Sequence, residues 1–132
     1  MNPKVVQSIY KDDYPSLDDA HIISVNLDWG GPQANITFIA KNFPLHPPEK
    51  WINQSYNTVN VILGLISVEY VKISGWDREN LMNIQLFETA SGVLRFLAKN
   101  NYTEIDIGFR FLDIRISGYK TEDEDAQTSH PL

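Results

Sequence analysis

The sequence predicts a mainly β fold: an antiparallel sheet or two-sheet sandwich of about eight strands, with a short N-terminal helix. Three observations carry that expectation. Apolar residues alternate with polar ones in many short runs, turn residues separate the runs, and nowhere do strands alternate with long helices. The 132 residues suit one domain, expected over residues 1–120. With 42% hydrophobic residues, six Phe, six Tyr and three Trp, the chain has the material for one core without crosslinks.

The elements follow in order. Asn2-Pro3 has the capping residue and first-turn proline of a helix start, and Val5, Val6, Ile9 and Tyr10 recur at helical spacing. A helix over residues 3–11 is the result, ended by Asp12-Asp13-Tyr14-Pro15. Ser16-Leu17-Asp18-Asp19 resembles a capping box and predicts one more turn. Ile23, Val25, Leu27 and Trp29 then alternate with polar residues as a half-buried strand. After Gly30-Gly31-Pro32 the strand returns through Ala34, Ile36, Phe38 and Ala40. Pro44, Pro47 and Pro48 exclude a central strand, while Pro48-Glu49-Lys50-Trp51 opens a helical turn.

Val59, Val61, Leu63 and Leu65 resume the alternation, and Val71 and Ile73 continue it after a phase change near Ser67. Gly75-Trp76-Asp77 reads as a loop with a single helical turn. Ile84 and Leu86, then Leu94, Phe96 and Ala98, flank Ala90-Ser91-Gly92 as a second hairpin, with another turn at Asn100-Asn101. Ile105, Ile107, Phe109 and Phe111 follow, and the phase flips at Leu112 to give Ile114 and Ile116. Phe38, Phe96, Phe109 and Phe111 are the expected aromatic core.

Two stretches resemble two others. Val71-Lys72-Ile73-Ser74-Gly75-Trp76 matches Ile114-Arg115-Ile116-Ser117-Gly118-Tyr119, and Val61-Ile62-Leu63-Gly64-Leu65 matches Ile105-Asp106-Ile107-Gly108-Phe109. Either two long strands in one sheet meet the same physical demand, or a hairpin unit is duplicated.

Charge and missing residue types exclude much chemistry. The absence of Cys removes disulfides, zinc fingers, iron–sulfur clusters and a cysteine nucleophile. The three His stand at no metal-ligand spacing, and the acids follow no calcium-loop pattern, so neither a metal nor a cofactor is expected. No P-loop, dinucleotide fingerprint or Gly-x-Ser-x-Gly elbow occurs, and no enzyme activity is expected. The formal net charge is −6, and the basic residues form no stripe, which argues against nucleic acid. No apolar run reaches membrane-spanning length and no secretory signal opens the chain, so the expectation is a cytoplasmic protein without membrane contact. Glu122, Asp123, Glu124 and Asp125 concentrate charge in residues 121–132, an expected disordered tail; without these four the net charge falls from −6 to −2.

What remains is an acidic and aromatic loop surface. Asp12, Asp13, Asp18, Asp19, Glu49 and Asp77 supply charge, and Trp51, Tyr56 and Trp76 are candidate anchors for a protein partner or covers for the ends of the sheet.

The order of signals also resembles a known family. Pro15-Ser16-Leu17-Asp18-Asp19-Ala20 leads into a hairpin that ends at Asn42-Phe43-Pro44; Pro48, Trp51, Tyr56-Asn57-Thr58-Val59 and Ser74-Gly75-Trp76 follow. This is similar to the immunity protein 50 family of bacterial polymorphic toxin systems, over residues 14–119. The resemblance implies a non-enzymatic protein that neutralises a cognate toxin by binding it, and supplies no catalytic residue. An acidic chain suits a basic toxin domain such as a nuclease. The alternatives are a β-rich small-ligand-binding or barrel-type enzyme domain, marked by a deep pocket, and a structural subunit, marked by a stable homo-oligomer. The sequence leaves monomer and dimer both open.

Overall fold

The computed structural model describes residues 16–121, and eight antiparallel strands account for most of them. In chain order these are β1 (Ala20–Asp28), β2 (Gln33–Ile39), α1 (Glu49–Asn53), β3 (Thr58–Ile66), β4 (Tyr70–Ser74), β5 (Leu81–Glu88), β6 (Leu94–Lys99), β7 (Glu104–Phe109) and β8 (Phe111–Tyr119). They form one open sheet in the order β4-β7-β6-β5-β1-β2-β3-β8. The expected N-terminal helix, and the tail after Thr121, lie outside the described residues. Pro48 does open a short helix, α1, as expected. The turn predicted at residues 16–19 is not helical: the Ser16 hydroxyl accepts the Asp18 N–H, and Asp19 takes a left-handed φ of 50°. The loop after Gly75 likewise holds no helical turn.

The strand order reads the same from either end when β1, β2, β3 and β4 are exchanged for β5, β6, β7 and β8. Register agrees. Leu63 lies between Ile36 and Ile114, and Ile107 lies between Phe96 and Val71; one step on, Val61 lies between Phe38 and Ile116, and Ile105 between Ala98 and Ile73. The two sequence matches are therefore β3 with β7 and β4 with β8, in equivalent places. This favours a duplicated unit whose fourth strands have changed sides, β4 pairing with β7 and β8 with β3.

The halves join between β1 and β5 through Ala20 opposite Met82 and His21 opposite Leu81. The Ile22 N–H extends the seam to the Asn80 carbonyl at 3.0 Å, and the Asn80 amide donates back to the Ile22 carbonyl at 2.9 Å. There the seam stops. A bulge between Ile22 and Ser24 bends β1, whose remaining residues are paired only with β2.

Inward side chains from both halves build one core, with Phe38, Phe96, Phe109, Leu63 and Ile107 fully buried. Truncating any of these Phe residues to Ala costs about 3–5 kcal/mol in such a setting. Two sequence expectations are corrected. Phe111, expected in the core, is 63% exposed, because Arg110 ends β7 and Phe111 begins the next strand at the sheet rim. Ile23, Leu27 and Trp29 were expected on the buried side of β1, yet all three are exposed. The bulge changes the phase of the strand after Ile22, and no strand covers its far flank.

Candidate partner-binding surface

The unpaired flank of β1 gathers the most exposed aromatic residues among those described. Trp29, just past the strand end, is 96% exposed, and Trp76, from the loop after β4, is 74% exposed. Two grooves run along this flank. One, of about 400 Å³, lies between residues 22–25 of β1 and the loop bearing Trp76, Asp77, Arg78 and Asn80, above Met82, Thr103 and Ile105. The other, of about 460 Å³, lies between residues 27–29 and residues 68–71, which include the start of β4.

Local sequence explains how Trp76 is presented. Gly75 has φ +75°, and a Cβ there would lie 2.0 Å from the Tyr102 carbonyl oxygen. Only glycine fits this turn, which leads the chain off the end of β4 and leaves the indole in solvent. The Asp77 carboxylate accepts the Glu79 N–H at 3.1 Å, and the Glu79 carboxylate accepts the Leu81 N–H at 3.2 Å. Asp28 similarly accepts the Gly30 N–H at 2.8 Å. None of these three carboxylates has a salt bridge among the described residues, nor have Arg78 and Lys72 nearby.

The other candidate residues are dispersed. Asp12 and Asp13 lie outside the described residues. Asp18 is exposed, and Asp19 pairs with Lys41 at 3.3 Å with both side chains in water, an arrangement worth little. Glu49 is exposed in the first turn of α1. Trp51 is 8% exposed and packs against Phe43 and Tyr56 at ring distances of 5.9 and 6.3 Å. Its indole lies on Gly118 so closely that a Cβ there would come within 2.6 Å of the ring. Trp51 is therefore a cover for β8 and part of the core, and Tyr56 is half-buried against it. Of the nine candidates, the structure brings Trp76 and Asp77 together on the β1 flank.

Sequence reasoning passed over two features. Trp29 read as the last inward residue of a strand, although its place before Gly30-Gly31 signals a hairpin tip. The second is a polar cluster across β4, β6 and β7. Arg95 grips Asp106 through Nε at 2.9 Å and Nη2 at 2.6 Å, while the Tyr70 hydroxyl donates to the same carboxylate at 2.8 Å. The Arg95 hydrogen bonds hold the Asp106 carboxyl below its usual range, against the opposing effect of burial and with help from Tyr70. Burial, then Asp106, pushes the Tyr70 phenol up. The only sequence hint was an aspartate inside an otherwise apolar run. The cluster ties edge strand β4 to its neighbours.

The model of the family Immunity protein 50 matches residues 2–121. The chain belongs to the Immunity protein 50 family. The match extends beyond the 14–119 stretch that carried the resemblance, taking in most of the N-terminal segment. No curated protein matches the chain. The β1 flank, with its two exposed indoles, is the candidate site on this chain. No helix among the described residues is long and apolar enough to cross a membrane.

Proposed function

We propose that this chain binds a cognate toxin in a stoichiometric complex, without catalysis, and neutralises it through the unpaired flank of β1. The observation that carries the site is the pair of exposed indoles, Trp29 and Trp76, beside grooves on the flank of β1 where its pairing with β5 stops. Family membership supports the role. Exposed tryptophans are enriched among residues that dominate protein interfaces, and the two grooves give such an interface concave relief. The partner is a toxin domain, in our reading basic and acting in the same cytoplasm, since a chain of net charge −6 attracts cations at long range.

Co-expression with the product of the adjacent toxin-bearing gene tests the reading. A one-to-one complex and restored growth are expected. Folded Trp76→Ala and Trp29→Ala variants should each weaken binding about 30-fold, the effect of a desolvated anchor worth about 2 kcal/mol. Normal binding by both would move the interface elsewhere, and failure of the intact chain to bind or protect would overturn the function.

A further inference from the structure

Alternation along β1 shows which main-chain groups its open flank presents. The N–H and carbonyl of Ile22 both bond to Asn80, so at Ile22 the backbone points away from β2. Ile22 stands opposite Phe38 and is therefore a non-hydrogen-bonded position of the β1–β2 ladder. After the bulge Ser24 stands opposite Thr37, the next residue of β2, and so turns its N–H and carbonyl to β2, as Asn26 and Asp28 do in their turn. The N–H and carbonyl of Val25 and of Leu27 point to the open flank, where no strand among the described residues pairs with them.

The molecule itself shows what such a flank accepts. At the seam β1 takes β5 as an antiparallel neighbour and then the Asn80 main chain. In the other half β5 takes the approach to β1 in the same way, the Ile84 N–H donating to the Leu17 carbonyl at 2.8 Å. Both times the occupant is an extended run of main chain. The linings suit the same kind of occupant. Ser24, Arg78 and Asn80 stand beside Val25, Trp76 and Ile105 in one groove, and polar Gln33 and Glu69 beside Leu27 and Val71 in the other. An extended peptide meets mixed walls of this kind, because it carries main-chain donors and acceptors together with side chains on alternate sides. The grooves together follow residues 22–29, room for a strand of about seven residues at about 3.4 Å each. Residues 68–71 and the loop bearing Trp76 form the far wall, so the open edge of β1 is recessed. Two such edges on two copies cannot meet, which leaves a segment of another protein.

We infer that the toxin lays an extended segment along β1 as an antiparallel neighbour, hydrogen-bonded to the main chain of Val25 and Leu27 between Trp29 and Trp76. This rests on the toxin-binding reading for the source of the segment. It adds the mode of recognition: strand addition, with main-chain bonds for affinity and the two grooves for side-chain selection.

The test is NMR of the isotope-labelled full chain, free and bound to the toxin domain encoded by the adjacent gene. Expected are Hα–Hα contacts from Asn26 to the partner, the mark of an antiparallel neighbour on that flank, and amide exchange at Val25 and Leu27 slowed at least about tenfold. Leu27→Pro removes one flank donor and leaves the β2 ladder its bonds, and should weaken binding about tenfold. Leu27→Ala, which keeps the N–H, should weaken it less. Melting temperatures check that both variants fold, and if Leu27→Pro does not, the Asn26 contacts in the parent complex decide. A complex without those contacts, still weakened by Trp76→Ala, would overturn strand addition and leave the proposed function standing. No complex at all would overturn both. The same contacts between copies of the free chain, with a dimeric mass, would make the occupant a second copy and overturn the inference.

Discussion

At the scale of single residues, two positions hold β4 and the loop that follows it. Gly75 combines a left-handed φ of +75° with a carbonyl oxygen where its Cβ would be. Gly75→Ala should cost about 2 kcal/mol or more, since both the conformation and the contact oppose a side chain. Urea denaturation would measure the loss, and Trp76 fluorescence would report the displaced loop. Asp106 sets a pH dependence. Its pKa is lower in the folded chain than in the unfolded one, mainly through Arg95. In that window the unfolded state binds more protons, so the contribution is present above the unfolded pKa of about 3.9 and is lost as pH falls through the folded value. Asp106→Asn should therefore flatten the acid limb of the stability curve below about pH 4, which denaturation across pH 2–7 would show.

At the scale of elements, the helix and the loop hold their tryptophans for opposite purposes. Helix α1 lays Trp51 on β8, where Gly118 leaves room for the ring, and Phe43 and Tyr56 complete the cover. The loop after β4 turns Trp76 into water. Trp51→Ala should cost about 3–5 kcal/mol, as expected for a large aromatic lost from a core. Trp76→Ala should stay within about 0.5 kcal/mol of the parent, the ordinary range for a surface change. Thermal unfolding of the two variants side by side checks both. Equal losses would mean that Trp76 also supports the core.

At the scale of the whole molecule, exchange of the fourth strands interlocks two similar units around a seam of two residue pairs. The short seam leaves β1 with β2 as its one strand neighbour beyond Ile22, and the grooves lie along the other flank. Net charge acts at the same scale. A chain of −6 should associate faster with a basic toxin at low salt, because charges attract over a screening length of about 8 Å at physiological ionic strength. Stopped-flow association between 50 and 500 mM salt should show the rate falling while dissociation changes little. A rate indifferent to salt would place the charges outside the recognition step.

Strand number, antiparallel class, most turns and the core phases of β2, β3, β6 and β7 follow from alternation alone. Pairs such as Ile36 with Phe38, or Ile105 with Ile107, need only a buried face to fix their register. The family signal was legible too, in the order of prolines, tryptophans and Ser-Gly-aromatic motifs. The candidate site was legible in part: Trp76 and Asp77 stood out as loop residues, but Trp51 looked the same from its neighbours in sequence. Periodicity reports that a face is apolar, not whether a strand arrives to cover it. Tertiary structure decided that Trp51 is covered and that Trp29 and Trp76 are bare. It also decided that Ile23 and Leu27 face outward and that the Thr103 hydroxyl is buried without a hydrogen-bond partner among the described residues. The physical reason is common to all of them: exposure depends on which neighbour the chain brings back from far along the sequence, and β1 loses β5 as its second neighbour where the two halves diverge.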